Sequence, residues 1–451
     1  MLLVLSFAKS ILLFQGEETR DVFCSFFMSY RPIHVEKSME HVTEQMLRGV
    51  KVLDLSNLIA GPGISTILAD FGADVIKVEH PGNGDYIRGW GHKKNGIPLA
   101  WKAHGRGKRL LAVNLNKVEG QEIIRKLAAS TDILIESYRP GKMEEWGLGY
   151  ESLAEKHPGL IMIRVTGWGQ TGPYRDRPGF GTLAEAFSGF AHITGEKDGP
   201  PTLPGFALGD GITSLVGVYA VMMALYHRDV HGKTGQVIDL SIFESVFALL
   251  GPQAMEYDQL GLIQGRAGNR SARGAPRNAY ITADKRWVAI SASASDMAFR
   301  LFRAIGRDDM IADPRYVTPG KRLENGDEID GIVAGWIRAR PFREVMAVLE
   351  THDVPVAPVY DIARIMADPH YRARGAVLCL EDEDLGPVRM ANIPPRFSRT
   401  PGHVRYPGRT EIGCDTLAIL RSIGMGDMEI EKLAEQGIIR AGGPRGDGVQ
   451  D

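Results

Sequence analysis

Only three cysteines occur in the 451 residues, Cys24, Cys379 and Cys414, far apart and odd in number. That excludes a disulfide framework and a cysteine-paired zinc site, and it suits a reducing cytoplasm. No set of His, Cys, Asp and Glu has metal-ligand spacing, so no metal is expected. An excess of one charge is also missing. Lys and Arg total 53 against 55 Asp and Glu, for a net charge of -2. Nucleic acid and membrane surfaces are therefore not expected partners. No apolar run reads as long enough to span a bilayer. Met1 to Phe14 is apolar but contains Lys9, has no basic leading segment and is followed by no clean cleavage site. It does not read as a signal peptide. No GxSxG nucleophile elbow occurs, and Gly232-Lys233-Thr234 lacks the upstream glycine of a P-loop.

What is present is an ordinary globular composition, 44% hydrophobic and 24% charged, with 53 glycines. The length allows two domains and a large core. Residues 1–45 show no clear periodicity and read as an extension outside the fold, with Met28, Met39 and Met46 as alternative starts. Strand patterns recur at 50–55, 75–78, 111–115, 132–136, 161–166 and 235–240, with helical spacing at 64–71, 121–129 and 151–156 between them. This alternation predicts a doubly wound α/β domain over 46–250. A linker and basic loop follow at 251–276. A smaller α/β domain is expected over 277–375, with a strand at 287–291 and helices near 296–305 and 342–350. A linker and a helical return to the first domain take up 376–440, and 441–451 reads as a disordered tail.

The stretch Leu203-Pro204-Gly205-Phe206-Ala207-Leu208-Gly209-Asp210-Gly211 precedes an apolar run from Ile212 to Tyr226. The run is apolar on nearly every face and predicts a buried helix. Asp210 falls at its start, where free backbone N–H groups and the helix dipole favour an ionised carboxylate. Two roles fit that position: a helix cap, or a charged group at the mouth of a cavity.

Gly167-Trp168-Gly169-Gln170-Thr171-Gly172 matches GxGxxG after a strand, but Pro173 and turn chemistry follow instead of a helix. No nicotinamide or flavin site is therefore expected. Ala60-Gly61-Pro62, Lys77 to Gly82, Arg106 to Arg109 and Tyr138-Arg139-Pro140-Gly141 each read equally well as packing or solvated turns. Most of them fall at the carboxyl ends of strands in one sheet, where α/β proteins bind ligands. Together they point to a large, phosphate-bearing ligand.

In order, these pieces resemble the class III CoA-transferase (CaiB/BaiF) family, from about Leu47 to about Gly437. The match includes Val52-Leu53-Asp54-Leu55, the segment 68–79, the segment 84–90, Gly167 to Tyr174, Gly209-Asp210 and Gly235 to Asp239. The resemblance implies a Rossmann-like large domain with a small one, in an interlocked homodimer. It implies that Asp210 is the nucleophile. It implies coenzyme A contacts at Ile59, Ala60, His80, Val113, Asn114, Leu115, Asn116, Ser137, Tyr138, Arg139, Pro178, Gly179 and Phe180. His80, Asn116 and Glu145 stand where basic residues are familiar, and Arg139, Lys108 and Arg109 are possible substitutes. Arg273 and Gly274 fall near a loop that shields the intermediate in some members.

The reading that follows is a CoA-transferase moving CoA from an acyl-CoA to a small carboxylic acid, with succinyl-CoA as one candidate donor. An acyl-CoA racemase of the same family is one alternative. It is weakened because Gly181 stands where that branch has an acid. A CoA-binding subunit without activity, paired with an active relative, is the other.

Overall fold

The computed structural model describes residues 45–442. The extension before residue 45 and the tail from 443 lie outside the described residues. A six-stranded parallel sheet is built from β1 (Lys51–Asp54), β2 (Asp74–Glu79), β3 (Arg109–Ala112), β4 (Ile133–Glu136), β5 (Ile161–Thr166) and β6 (Val237–Ser241). Its order is β3-β2-β1-β4-β5-β6. The chain winds outward from β1 to β3, then returns to place β4 beside β1. The winding direction reverses between those two strands, and ligands bind at such a point.

Successive side chains of a strand face opposite sides, and each side here has its own core. Val52, Ile133, Ile135, Ile161 and Ile163 point to one cluster, while Leu53, Leu134 and Met162 point to the other. Both faces are buried, which is why these strands read as nearly continuous apolar runs. Helices α1 (Ala60–Asp70) and α4 (Leu208–His227) cover the first face. Helix α2 (Val118–Ala128) and the helices Thr416–Ser422 and Asp427–Glu435 cover the second. Between α2 and α4 lies the short helix α3 (Gly181–Phe187), and α5 (Ile242–Phe247) follows β6.

Glycines set the distance between α1 and α4. A Cβ on Gly217 would lie 2.7 Å from Ile64 Cγ1, and one on Gly63 would lie 2.8 Å from Ser214 Cβ. Ser214 Oγ donates to the Ala60 carbonyl at 2.9 Å. The segment Leu208–Gly232, 25 residues containing an 18-residue stretch of mean hydropathy 1.6, is in fact long and apolar enough by composition to cross a membrane. One side of it packs into the sheet's core. Along the other side Leu215, Tyr219, Met223 and Tyr226 are exposed. The expectation of a fully buried helix is corrected accordingly: an all-round apolar sequence is covered here on one face only.

Residues 277–375 build a three-stranded antiparallel sheet from Arg277–Ile281, Trp287–Ser291 and Val356–Pro358, with its own core under helices Ser295–Ala304, Gly326–Arg338 and Phe342–Thr351. Part of the predicted linker is an antiparallel hairpin, Val377–Asp382 with Gly386–Ala391. Leu378, Leu380 and Met390 pack it against the first-face cluster of the large sheet.

Candidate active site

The turns leaving β1, β4 and β5 enclose a cavity of about 660 Å³ at the reversal point. Ile59, Ala60, Ser137, Tyr138, Arg139, Pro178, Gly179, Phe180 and Asp210 all line it. A second cavity of about 440 Å³ shares Asn57, Tyr86 and Tyr138 with the first. Its walls include His80, Val113, Leu115, Asn116, Lys142 and Trp146. Side by side, the two form a long crevice suited to an extended ligand.

The β1 turn is held by buried charge. Asp54 accepts from the Ser56 and Ser65 hydroxyls at 2.5 Å and pairs with Lys77 at 3.8 Å and Lys108 at 3.4 Å. Burial opposes ionisation of Asp54, but the two lysines and the serines hold its carboxyl below the usual range. Lys77 also pairs with Asp85 at 3.1 Å, and Asp85 accepts from the Leu58 amide at 3.1 Å. Leu58 has φ +69°, a left-handed conformation that this network helps to hold. The charges at the end of β2 are thus buried, not solvated. Lys108 donates to the Pro62 carbonyl at 2.7 Å, and Arg109 pairs with Asp74 at 2.6 Å. Both are engaged in the frame and line neither cavity. Lys142 is a basic side chain that does line the second cavity, and Glu145, where an arginine is familiar, holds it at 2.8 Å.

Asp210 lies in the first turn of α4, but it does not cap the helix. Ala207 occupies the capping position without a side-chain bond. Among the described residues, no hydrogen bond to the Asp210 carboxylate is found. The first-turn amide of Gly209 donates instead to Glu185 Oε1 at 2.8 Å, and Glu185 is 2% exposed. Burial, then the charge of Glu185, pushes the Asp210 carboxyl from 3.8 up to about 6. The expectation that the dipole acts on a lone carboxylate is corrected: desolvation and a like charge outweigh the dipole, so this carboxyl ionises less readily than usual.

Gly181 makes room for this group. A Cβ there would fall 2.8 Å from Asp210 Cγ. The GxGxxG run lends Gly167 and Trp168 to the cavity wall. A Cβ on Gly179 would lie 2.7 Å from the Gly167 Cα, so two backbones cross closely beside the cavity. Trp168 Nε1 donates to the Pro178 carbonyl at 3.0 Å, and the indole packs edge-on against Phe187 at 5.0 Å.

Three expected residues are not part of this assembly. Asn114 lines neither cavity. Its amide donates to the Ile438 carbonyl at 2.7 Å and its side chain accepts from the Asn116 amide at 3.0 Å. Arg273 and Gly274 line other cavities, and the one lined by Arg273 is also walled by Ile212, two residues past Asp210. Their loop is anchored to the small sheet's side, where Arg270 bonds Asp330 at 2.5 Å. Sequence reasoning missed Asn57, Tyr86, Trp90, Arg175, Arg177, Lys142 and Glu185. The arginines lie in the proline-flanked segment read as turn chemistry. Glu185 was findable, because it stands one helical turn after Gly181.

These features define an α/β enzyme with a half-buried carboxylate beside the reversal point of a parallel sheet. Residues 47–416 match the model of CoA-transferase family III. The chain is 41% identical over 363 residues to succinyl-CoA–D-citramalate CoA-transferase of Chloroflexus aurantiacus, covering 80% of this chain and 90% of that one. It is 40% identical over 397 residues to the alpha subunit of succinyl-CoA–L-malate CoA-transferase from Chloroflexus aurantiacus, covering 87% and 92%. The crystal structure of a CaiB/BaiF family protein from Brucella suis superposes with TM-score 0.74 at 31% identity, over 84% of this chain and 99% of that one. The chain belongs to CoA-transferase family III.

Proposed function

We propose that this enzyme moves CoA from an acyl-CoA, with succinyl-CoA as donor, to a second small dicarboxylic acid through a thioester on Asp210. The observation that carries the reading is the Asp210 carboxylate itself: half-buried, lining the larger cavity, and taken up by no hydrogen bond among the described residues. An Asp210 oxygen attacks the thioester carbonyl carbon, the C–S bond breaks, and CoA leaves as thiolate, giving a mixed anhydride. The thiolate attacks the aspartyl carbonyl carbon and releases the free acid, leaving aspartyl-CoA. The acceptor carboxylate attacks that thioester and expels the thiolate again. The thiolate then takes the acceptor's acyl carbon and returns Asp210 as carboxylate. No step needs a proton or an electron, and the exchange overall trades one thioester for another of similar energy.

Arg139, Arg175 and Arg177 on the wall of the same cavity support a substrate with a second carboxylate. Both named relatives carry dicarboxylates in their names. His80 and Lys142 in the second cavity support CoA phosphates there. The exposed side of α4, with Met255 and Tyr257 on the helix Gln253–Leu260, supports an interlocked second copy. The reading keeps a large domain over 46–250 and a small one over 277–375, in a reducing cytoplasm that suits the free thiols Cys379 and Cys414.

Mass spectrometry of succinyl-CoA incubated with a panel of dicarboxylic acids tests the activity. Exchange by the natural chain and none by Asp210→Ala is expected, together with hydroxylamine-trapped enzyme only for the former. Turnover by Asp210→Ala at the natural rate would overturn it. Deuterium uptake at the α-carbon of a branched acyl-CoA without any acceptor would instead favour the racemase.

A further inference from the structure

Glu185 has no part in the chemistry above, yet it is the most unusual group near it. Its carboxylate is 2% exposed. One oxygen accepts the Gly209 amide at 2.8 Å, next in the chain to Asp210. The contact is tight: a Cβ on Gly209 would lie 3.2 Å from Glu185 Cγ and 3.3 Å from the Gly181 carbonyl. Glu185 stands one turn along α3 from Gly181, whose missing side chain admits the Asp210 carboxylate. Two glycines therefore bring a buried acid and a half-buried one to the place where α3 meets the start of α4.

A glutamate is not needed merely to satisfy one amide. A glutamine oxygen would do so without the cost of a buried charge. The charge has a use if Asp210 reacts. Before reaction, two carboxylates share a poorly hydrated site, and their repulsion disfavours the ionised nucleophile. When Asp210 is acylated, its negative charge leaves with the CoA thiolate, and the repulsion ends. Arg139, Arg175, Arg177, Tyr86 and Tyr138 also line the cavity facing Asp210. They come from the loops and would act in the opposite sense or stay neutral.

We propose that Glu185 is a positioning residue for Asp210: it clamps the helix start that carries the nucleophile, and it sets a fixed negative charge behind it that favours the covalent intermediates. This rests on the aspartyl-thioester reading. The test is Glu185→Gln, which keeps the Gly209 acceptor and removes the charge, with Glu185→Asp as the charge-retaining partner. In the Gln variant, the acid limb of the kcat/KM profile should move down by at least half a pH unit. The fraction of enzyme held as aspartyl-CoA at equilibrium should drop by about threefold, the same shift expressed as a ratio. The Asp variant should stay near the natural profile. A merely structural anchor would lower the melting temperature without moving the limb.

A readout independent of turnover completes it. At pH 7.5, Glu185→Gln should raise the melting temperature in the natural chain but not in Asp210→Asn, because the repulsion needs both charges. Equal effects in the two backgrounds, or an unmoved acid limb with an unchanged thioester fraction, would overturn the proposal. If the coupling is found but no thioester forms in the natural chain, the covalent mechanism fails, and with it the proposed use of the charge.

Discussion

Replacing Asp210 by Asn should separate stability from activity. The Asp210 carboxyl is pushed from 3.8 up to about 6, by burial first and then by Glu185. An acid raised in this way holds its proton more tightly in the folded chain than in the unfolded one. Stability is therefore lost as pH rises from about 4 through about 6, and the whole cost is present above that window. A rise of about two units at 1.36 kcal/mol each sets the cost at roughly 3 kcal/mol. Asparagine has nearly the same shape and no charge to desolvate. Asp210→Asn should thus be more stable than the natural chain at pH 7.5, by up to roughly 3 kcal/mol, and no more stable near pH 4. In thermal melts the difference is several degrees at the higher pH, since 1 kcal/mol is worth about 2–4 °C in a domain of a few hundred residues. The same variant should exchange no CoA, and exchange by the natural chain should fall as pH drops through about 6. An Asn variant with the same advantage, or none, at both pH values would refute the claim that the fold holds this carboxylate ionised at a cost.

Two further outcomes follow from neighbouring contacts. Gly181→Ala puts a methyl carbon 2.8 Å from Asp210 Cγ, well inside ordinary contact, so the carboxylate must swing aside. Displacement of that size costs on the order of 100-fold in kcat. Steady-state kinetics with an unchanged kcat would count against the site as described. Lys142→Ala removes a cation from the second cavity and should raise KM for succinyl-CoA about 10-fold with kcat preserved, the worth of one charge-assisted contact. Glu145→Ala, which releases Lys142, should leave KM unchanged or lower, and a KM that rises equally in both variants would remove Lys142 from the phosphate site.

Much of this was legible in the linear sequence because it depends on local pattern. Parallel strands buried on both faces are apolar at almost every position, so β4 and β5 declare themselves, and β5 was read at its observed bounds, whereas β1 and β2 carry buried charges at Asp54, Lys77 and Glu79. Pro204 and Gly205 mark a helix start, and Asp210 stands in its first turn, although Gly209, read as a further break, lies inside the helix. What the pattern could not hold is anything that depends on which groups meet through space. The helix dipole, a local effect, predicts an ionised Asp210. The fold reverses that sense by burying the group and bringing Glu185 to Gly209 from 24 residues away. The same holds for Lys108 and Arg109, a phosphate contact or a surface turn by sequence but paired with Asp54 and Asp74 once β3 lies beside β2. It holds too for Arg273 and Gly274, whose loop is tied through Arg270 to Asp330 on the helix Gly326–Arg338. Periodicity and turn chemistry act over a few residues, so sequence decides the elements. Desolvation and charge pairing act between elements, so only the packed chain decides the state of the carboxylate on which the chemistry rests.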